Sequence, residues 1–508
     1  MRVPGLFVSL LASCSLLPAA SFVNGQAARA VFGQQAFSYI VEGASQTLLG
    51  GASGLAWANV NGTPELFVAD ANDISAVPSN NRIMVFNTGT VPGIHADVAG
   101  FAGAGGSSLC PLCGFPAMFQ LGQPDFTSTN PGINSAPYPG TINGQPVVQG
   151  YMSLPTAVAT DGHVLAIADT KNNRILIWNT VPQSLSVPPD VVIGEPDFTT
   201  NTAGTTQSSL RAPEGVWIQN GKLFVADTFN NRVLIWNSIP TSPNQPADIV
   251  LGQPSFTSAA KPGDTTSATQ LNDPVSVTSD GTRLYVSDLG DNRVLIWNSI
   301  PTTNNQPADV VVGQKDMTGT AANNKEAVCA SVGTDSSGNP QYPDRCAASL
   351  DFPRYALSDG TRLFIADGGN DRVLIFNSIP TANGASADTV LGQQDFYSNM
   401  VTSAQQTLQS TTVDITGSVD TIPSPMSLAL DDSGNLYVSD PSNDRVLIYS
   451  PGDTPLPPLS IVNAASRLLR QVGAVQFGFS PTQTSGKLNA GDAVSITIGS
   501  NPPDTYTY

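Results

Sequence analysis

The sequence predicts an all-β fold in which six similar four-stranded units close into a ring. One phrase recurs: an Asp, a short loop that contains Asn, an Arg and then an apolar strand. The composition is rich in Gly, Pro, Ser, Thr and Asn, which favours short strands joined by turns. Repetition of one such unit indicates an array of like elements. The six copies carry Asp70 and Arg82, Asp169 and Arg174, Asp227 and Arg232, Asp288 and Arg293, Asp367 and Arg372, and Asp440 and Arg445.

Each unit shows four strand signals. The first strand follows a Pro, the second ends at the repeat Asp, the third follows the repeat Arg, and the fourth precedes a Gly-Gln pair. An Asp-Gly or Asn-Gly pair between the first two strands predicts a two-residue hairpin turn. The Pro residues are Pro155, Pro213, Pro274, Pro353 and Pro425, and the turn pairs are Asp161-Gly162, Asn220-Gly221, Asp280-Gly281 and Asp359-Gly360.

The Gly-Gln pair shows how the ring closes. It occurs at Gly122, Gly252, Gly313 and Gly392, with Gly194-Glu195 as a variant. The last unit lacks the pair, whereas a spare copy, Gly33-Gln34, lies near the start of the chain. We therefore predict that residues 31–37 form the outermost strand of the blade that contains Asp440 and Arg445. This strand would close a six-bladed β-propeller and remove exposed strand edges.

The phrases Leu-Phe-Val-Ala-Asp and Asn-Asn-Arg-Val, placed after Pro-x-Gly-Val, resemble the NHL repeat family. The resemblance covers about residues 31–450 and implies the propeller fold. It implies no single function, because this fold carries binding modules and enzymes alike.

The two ends of the chain read differently from the repeats. Residues 1–25 combine Arg2, an apolar stretch and small residues, which is typical of a secretory signal peptide. We expect a propeller over residues 26–450, a Pro-rich linker over 451–460, and a partial β module over 461–508 that is similar to the small Ig-like domains of exported bacterial proteins. The mature chain is therefore expected to be soluble and secreted, periplasmic or on the cell surface.

The cysteines fit an exported chain. Outside the signal there are four, which predicts disulfides Cys110–Cys113 and Cys329–Cys346 within loop insertions. Cys110-Pro-Leu-Cys113 could instead be a redox motif, but it lacks the strand-to-helix setting that lowers a thiol pKa.

The net charge of −18 argues against two kinds of partner. Such a surface repels nucleic acid phosphates and anionic lipids. No later segment approaches the length of a membrane span, so no membrane insertion is expected.

The repeated Asp and Arg residues invite a catalytic interpretation, but a structural one is favoured. A residue that recurs in every blade holds the blade together, and Asp and Arg can pair across the short loop. Functional sites in a propeller should instead depart from the repeat.

Such departures occur beside the Pro that opens the innermost strand. Most blades place a neutral residue after this Pro, namely Thr156, Val275 or Met426. Two blades place a charged residue there, Glu214 or Arg354. Two further charged residues, Asp273 and Asp351, lie just before the Pro of their blades. We predict that Glu214, Asp273, Asp351 and Arg354 form a polar cluster at one end of the channel that binds a ligand or a metal. The alternative is a set of solvated rim charges.

Catalytic chemistry is poorly supported. The NHL-related amidating lyases use histidines around zinc, but His95 and His163 stand at unlike repeat positions. Gluconolactonase-type propellers hold a divalent cation with Glu, Asp and Asn side chains. Glu214 and Asp273 are residues of suitable types, but we identify no residues in this sequence that correspond to the remaining ligands. No nucleophile elbow or phosphate loop is present.

The sequence therefore favours an exported, non-catalytic binding propeller without a cofactor. Long strand 4–1 connections at residues 127–152, 318–351 and 397–424 rise on the face of the charged cluster, where a protein, peptide or glycan could bind. A further insertion, residues 98–120, lies on the opposite face. The alternatives are a lactonase, hydrolase or lyase that depends on a divalent cation such as calcium, and a structural envelope component.

Overall fold

A computed structural model describes residues 21–35, 41–72, 75–76, 79–91, 113–132, 141–142, 145–146, 152–184, 187–263, 265–399, 421–452, 495–498 and 504–507. Six four-stranded antiparallel sheets form the blades of a β-propeller ring. The innermost strands of neighbouring blades contact one another around the ring. The predicted fold class is confirmed.

The blades are numbered in chain order, and their strands are given from the channel outward. Blade 1 has Ala52–Val60, Thr63–Asp70, Arg82–Asn87 and Phe119–Leu121; blade 2 has Pro155–Thr160, Leu165–Asp169, Arg174–Trp178 and Val191–Ile193; blade 3 has Gly215–Gln219, Lys222–Asp227, Arg232–Trp236 and Ile249–Leu251. Blade 4 has Pro274–Ser279, Leu284–Asp288, Arg293–Trp297 and Val310–Val312; blade 5 has Pro353–Ser358, Leu363–Asp367, Arg372–Phe376 and Thr389–Leu391; blade 6 has Leu428–Leu430, Leu436–Asp440, Arg445–Tyr449 and Ala30–Phe32.

Blade 6 takes its outermost strand from near the start of the chain. Ala30–Phe32 pairs antiparallel with Arg445–Tyr449, with Val31 opposite Leu447. The strand is shorter than the predicted range 31–37, of which residues 36 and 37 lie outside the described part. Phe32 is fully buried, with its ring 4.9 Å from that of Phe86 in blade 1. The strand thus packs against both the last blade and the first.

The predicted two-residue turn is correct only at Asn220-Gly221, where Gln219 pairs with Lys222 and both turn residues have positive φ. At the three Asp-Gly pairs the turn has four residues, as between Thr160 and Leu165. The cause is the Asp side chain, which accepts hydrogen bonds from the backbone two and three residues later. The Oδ1 atoms of Asp161, Asp280 and Asp359 do so at 2.7–3.0 Å. This capping stabilises a longer turn.

The repeat Asp and Arg pair in all six blades, and both side chains are buried. The Arg Nε to Asp Oδ2 distance is 2.7–2.8 Å in every pair. In blade 3, Arg232 also donates to the carbonyls of Phe256, Thr206 and Ser209. The Oδ1 of Asp227 accepts the backbone N–H of Arg211 at 2.7 Å. Each pair therefore joins a blade to the strand 4–1 loops on either side, as the structural interpretation expects.

The residue before each repeat Arg links one blade to the next. It is Asn in blades 1–4 and Asp in blades 5 and 6, always in the left-handed region with φ of 50–55°. In blade 3 the side-chain oxygen of Asn231 accepts the N–H of Asp273 at 3.0 Å, while its amide nitrogen donates to Ala259. Asn81, Asn173, Asn292 and Asp371 accept the same inter-blade bond. The corresponding residue of blade 6 is Asp444.

The Gly-Gln pair has a structural role as well. Gly252 has φ of +83°, and a Cβ there would lie 2.5 Å from the side chain of Leu271, so only glycine fits. The amide nitrogen of Gln253 donates to the carbonyls of Asn231 and Ala260 at 3.0 and 2.9 Å. The pair thus holds the start of the strand 4–1 loop against the blade.

The Cys329–Cys346 disulfide is confirmed, with 5.8 Å between the Cα atoms. The bond closes the loop of residues 329–346, which contains the hairpin of Gly333–Thr334 and Pro340–Gln341, and the short helix Lys325–Val328 lies directly before it. Cys113 is also disulfide-bonded, and its expected partner Cys110 lies outside the described residues.

Other predicted features are seen in part or not at all. The signal region up to residue 20, most of insertion 98–120, most of the linker and most of the C-terminal module lie outside the described residues. Of that module the structure describes one hairpin, Ser495–Ile498 with Asp504–Thr507. Thr141–Ile142 and Gln145–Pro146 form another hairpin. Within the described ranges, no helix is long and apolar enough to cross a membrane.

Candidate functional site at the channel mouth

One end of the central channel is lined by one residue from the start of each innermost strand. These six residues, the channel-mouth ring, are Ser53, Thr156, Glu214, Val275, Arg354 and Met426. Together with Gly54, Ala157, Tyr355 and Ser427 they enclose about 360 Å³, which includes the part open to solvent.

A β-bulge aims several ring residues into the channel. In blade 4, Pro274 pairs with Asp288 and Ser276 with Ser287, so Val275 is the extra residue between them. The same register shift occurs at Arg354, at Thr156 and, in blade 1, between Ala52 and Leu55. Such a bulge turns a side chain out of the regular alternation. The scaffold therefore presents one variable side chain per blade at the mouth.

Arg354 has room in the ring because a neighbouring residue is small. A Cβ at Gly368 would lie 3.0 Å from Nε and 3.1 Å from Cγ and Cδ of Arg354. Blades 2 and 3 carry Thr170 and Thr228 at this position, directly after the repeat Asp. The other blades carry Ala71, Leu289 and Pro441 there, so the position varies around the ring, and in blade 5 the side chain of Arg354 packs against the glycine from Cγ to Nε.

Burial lowers the pKa of Arg354, and the nearby Glu214 carboxylate opposes that shift. The Nε atom is buried, and no acceptor among the described residues contacts it. A buried N–H without a partner is rare in native structures, where a ligand or an ordered water usually supplies the missing acceptor. This atom is therefore a candidate contact for an anionic group.

Glu214 is held at the mouth by its backbone. Its N–H donates to the carbonyl of Ala226 and to Thr228 Oγ1, each at 3.2 Å, and its own carbonyl accepts Thr156 Oγ1 at 3.2 Å. Its carboxylate acts electrostatically on Arg354. The mouth thus contains one acidic and one basic side chain in an otherwise neutral ring.

Asp273 does not line the mouth. Its carboxylate pairs with Lys261 at 2.5 Å, and its N–H donates to Asn231 of the preceding blade. Both side chains of that pair are partly exposed. The residue has φ of +49°, which turns the chain just before Pro274. Asp273 therefore stands in the loop, apart from Glu214.

Asp351 is also part of the loop network. Its N–H donates to Asp367 Oδ1 at 2.8 Å, and its Oδ2 accepts Asn323 at 3.3 Å. Burial, and then the charge of Asp367, raises the pKa of the Asp351 carboxyl. Of the four predicted cluster residues, the mouth thus brings together Glu214 and Arg354, while Asp273 and Asp351 support the loops around it.

Sequence reasoning missed several mouth residues. Ser53 was missed because blade 1 has Ala52 where the other blades have Pro. Tyr355 and Ser427 follow the ring position, and Tyr355 hydrogen-bonds Ser427 between blades 5 and 6. Gly368 carried no readable signal, because the residue after the repeat Asp differs in most blades.

Exposed apolar side chains lie on the face of the strand 2–3 and 4–1 loops. Tyr397 is 58% exposed, Phe352 47% and Phe229 51%. Val332, in the disulfide-closed loop, is 66% exposed. Arg345 of that loop donates to the carbonyl of Tyr397 at 3.4 Å, which joins the two connections. Aromatic side chains of this kind are enriched where proteins bind partners.

Metal-ligating residues are dispersed. Among the described residues, no group of three or more His, Cys, Asp or Glu side chains is placed to hold a metal ion. His163 lies in the turn that Asp161 caps, on the face opposite the mouth, and His95 lies outside the described part. At the mouth, Glu214 shares the space with the Arg354 cation, which disfavours a metal ion there, because the ion brings no negative charge to offset the arginine.

No family model matches the chain, and no curated protein matches it. Solved structures similar in fold include a streptogramin B lyase, at 8% identity and TM-score 0.36, covering 81% of this chain and 97% of the other. An auxiliary nutrient binding protein from Bacteroides thetaiotaomicron has 11% identity and TM-score 0.38, and the match covers 79% of this chain and 69% of the other. A protein of unknown function from the same organism has 10% identity and TM-score 0.42, and the match covers 84% of this chain and 76% of the other. Likenesses this distant carry no argument about function.

Proposed function

We propose that this chain is an exported, non-catalytic binding propeller, of the kind that the NHL-like repeats suggest, which recognises a protein, peptide or glycan on its strand 4–1 loop face. One observation carries the proposal: the disulfide-closed loop and its neighbours place Val332, Phe352 and Tyr397 in solvent on the face where the mouth opens. Exposed aromatic groups on a rigid scaffold supply contact area at low entropic cost. The Cys329–Cys346 bond and the signal-like residues 1–25 support export.

The disulfide-closed loop is the first part to test. Removal of all residues 318–351 would also take away the carbonyls of Cys346 and Ser349, which accept hydrogen bonds from Arg372. A shorter excision avoids this damage. Residues 331–342 form an exposed hairpin between the cysteines, so a short Gly-Ser linker can replace them while the disulfide remains.

The experiment compares three proteins on glycan and peptide arrays: the intact chain, the 331–342 excision and Tyr397→Ser. We expect the intact chain to capture a ligand, and both variants to lose at least about tenfold in affinity. Val187→Ser is the matched control, since Val187 is 41% exposed in the strand 3–4 connection of blade 2 on the other face. Undiminished capture by a folded excision variant would overturn the proposal.

The enzymatic alternative has its own test. A lactonase, hydrolase or lyase of the divalent-cation type requires metal at Glu214. Elemental analysis of protein purified without added metal, followed by the same analysis of Glu214→Ala, measures this directly. Stoichiometric metal that disappears in the variant would favour the enzyme over the binding module, and a structural envelope component would show neither metal nor ligand.

A further inference from the structure

We propose that the channel mouth binds a small zwitterion, a molecule with a carboxylate and an ammonium group a few atoms apart, such as a free amino acid. This inference rests on the proposed function, because it names the ligand class for the centre of the same face.

Arg354 supplies the site for the carboxylate. The side chain enters the channel from a β-bulge and lies over Gly368, which fixes the direction of the guanidinium. Its Nε lacks an acceptor among the described residues. Arginine binds carboxylates through paired N–H groups, and such charge-assisted bonds are strong where water is displaced.

Glu214 supplies the second pole. Its backbone is held by bonds to Ala226 and Thr228, and the residue lines the mouth beside Arg354. A ligand with only an anionic group would meet Arg354 and be repelled by Glu214. A ligand with both charges is attracted twice, because its carboxylate faces the Arg354 guanidinium and its ammonium group faces the Glu214 carboxylate.

The charge of the whole protein points to the same class. The chain has a net charge of −18, and a field of that sign lowers the local concentration of anions. A zwitterion has no net charge and approaches without that barrier. The remaining ring residues, Ser53, Thr156, Val275 and Met426, are neutral and add no further charge that would favour an anion or a cation alone.

Calorimetry on the full chain tests the proposal, with the common L-amino acids as probes. For the best probe, two blocked forms follow: the amide, which lacks the carboxylate, and the N-acetyl form, which lacks the ammonium group. Each lost charged contact is worth about 1.5–3 kcal/mol. We therefore expect each blocked form to bind about 10–100-fold more weakly.

Two variants test which residue binds each charged group of the ligand. Arg354→Met should remove the preference for the carboxylate, and Glu214→Gln the preference for the ammonium group. Methionine is the natural ring residue of blade 6, so Arg354→Met is compatible with the scaffold. Arg283→Met is the control, because Arg283 pairs with Asp280 in the hairpin turn on the opposite face. Thermal melting confirms that each variant is folded.

Three results would overturn the inference: N-acetyl forms that bind as tightly as the parent, neutral sugars that bind in preference to amino acids, or no binding by any probe. The inference fails separately from the proposed function. Loss of array capture in the 331–342 excision, together with no amino acid binding, would leave the loop-face function standing and refute the zwitterion site alone.

Discussion

The six Asp–Arg pairs and the channel-mouth ring differ in one respect that separates scaffold from site. Each blade contributes one pair to the first set and one residue to the second. The pairs are the same residues with the same 2.7–2.8 Å contact in every blade. The ring contains Ser, Thr, Glu, Val, Arg and Met. A position that holds the blades together cannot vary, whereas one that faces the channel can.

The largest expected effect concerns the strand that blade 6 borrows. We expect removal of residues 26–37 to lower the free energy of unfolding by at least ~5 kcal/mol, since the loss of a single buried Phe such as Phe32 costs about 3–5 kcal/mol. The rest of the strand also leaves the edge residues of Arg445–Tyr449 unpaired. Urea denaturation measures the change.

The 331–342 excision removes an equal length of chain from an exposed hairpin and is the control. It should unfold at nearly the same urea concentration as the intact protein. If the 26–37 deletion also unfolds there, the ring does not depend on its N-terminal strand.

The second prediction contrasts an arginine of each set. Arg232→Met leaves Asp227 as a buried charge without its partner, and removes donors from three loop carbonyls. Breaking a buried pair in this way costs about 3–5 kcal/mol. Arg354→Met, at the mouth, should change stability by less than ~1 kcal/mol. Equal losses in the two variants would contradict the division into scaffold and site.

The fold could be predicted from the sequence because repetition marks scaffold residues. Each Asp, Arg, Gly-Gln and Pro signal recurs at the same place in a unit, so an error in one blade is corrected by the others. The hairpin turns were wrong for a local reason: the side chains of Asp161, Asp280 and Asp359 cap a longer loop, which the Asp-Gly pair alone does not reveal.

The site could be predicted only in part. Departure from the repeat identified Glu214 and Arg354, but the same rule added Asp273 and Asp351, which the structure places in loop contacts. One or two residues separate the two classes along the chain: Pro274 lies between Asp273 and Val275, and Phe352 and Pro353 lie between Asp351 and Arg354. In blade 5 the bulge after the Pro turns Arg354 into the channel, and the spacing of residues in the sequence does not reveal that register shift.

The third prediction concerns a residue of the inter-blade hydrogen bonds that differs from its counterparts in the first four blades. Asp444 stands where blades 1–4 have Asn, and burial raises the pKa of its carboxyl to about 8, with further contributions from Asp70, Glu42 and Asp440. The unfolded value is about 4. The folded protein therefore holds the proton more tightly, so stability is fully present below about pH 4 and falls as the pH rises towards 8.

Asp444→Asn should remove this loss. We expect the variant to match the parent at pH 4 and to exceed it by on the order of 3 kcal/mol at pH 8.5, as measured by denaturant titration at both values. Asp371→Asn is the matched comparison, because burial raises the pKa of Asp371 only to about 6. The gain in the free energy of unfolding of Asp371→Asn over the parent should be smaller, and it should reach its full size at a lower pH. Parallel pH profiles for Asp444→Asn and the parent would refute the assignment.

The smallest effect on stability should accompany a clear effect on binding. In Gly368→Ala the new Cβ would lie 3.0–3.1 Å from the side chain of Arg354, which must then move by a few tenths of an ångström. The fold has no other reason to resist the change, so stability should stay within ~0.5 kcal/mol. The amino acid affinity at the mouth should fall, because the guanidinium loses its position. Gly263→Ala, where no atom lies within 4 Å of the added Cβ, should change neither quantity. Unchanged affinity in Gly368→Ala would show that the glycine does not position Arg354.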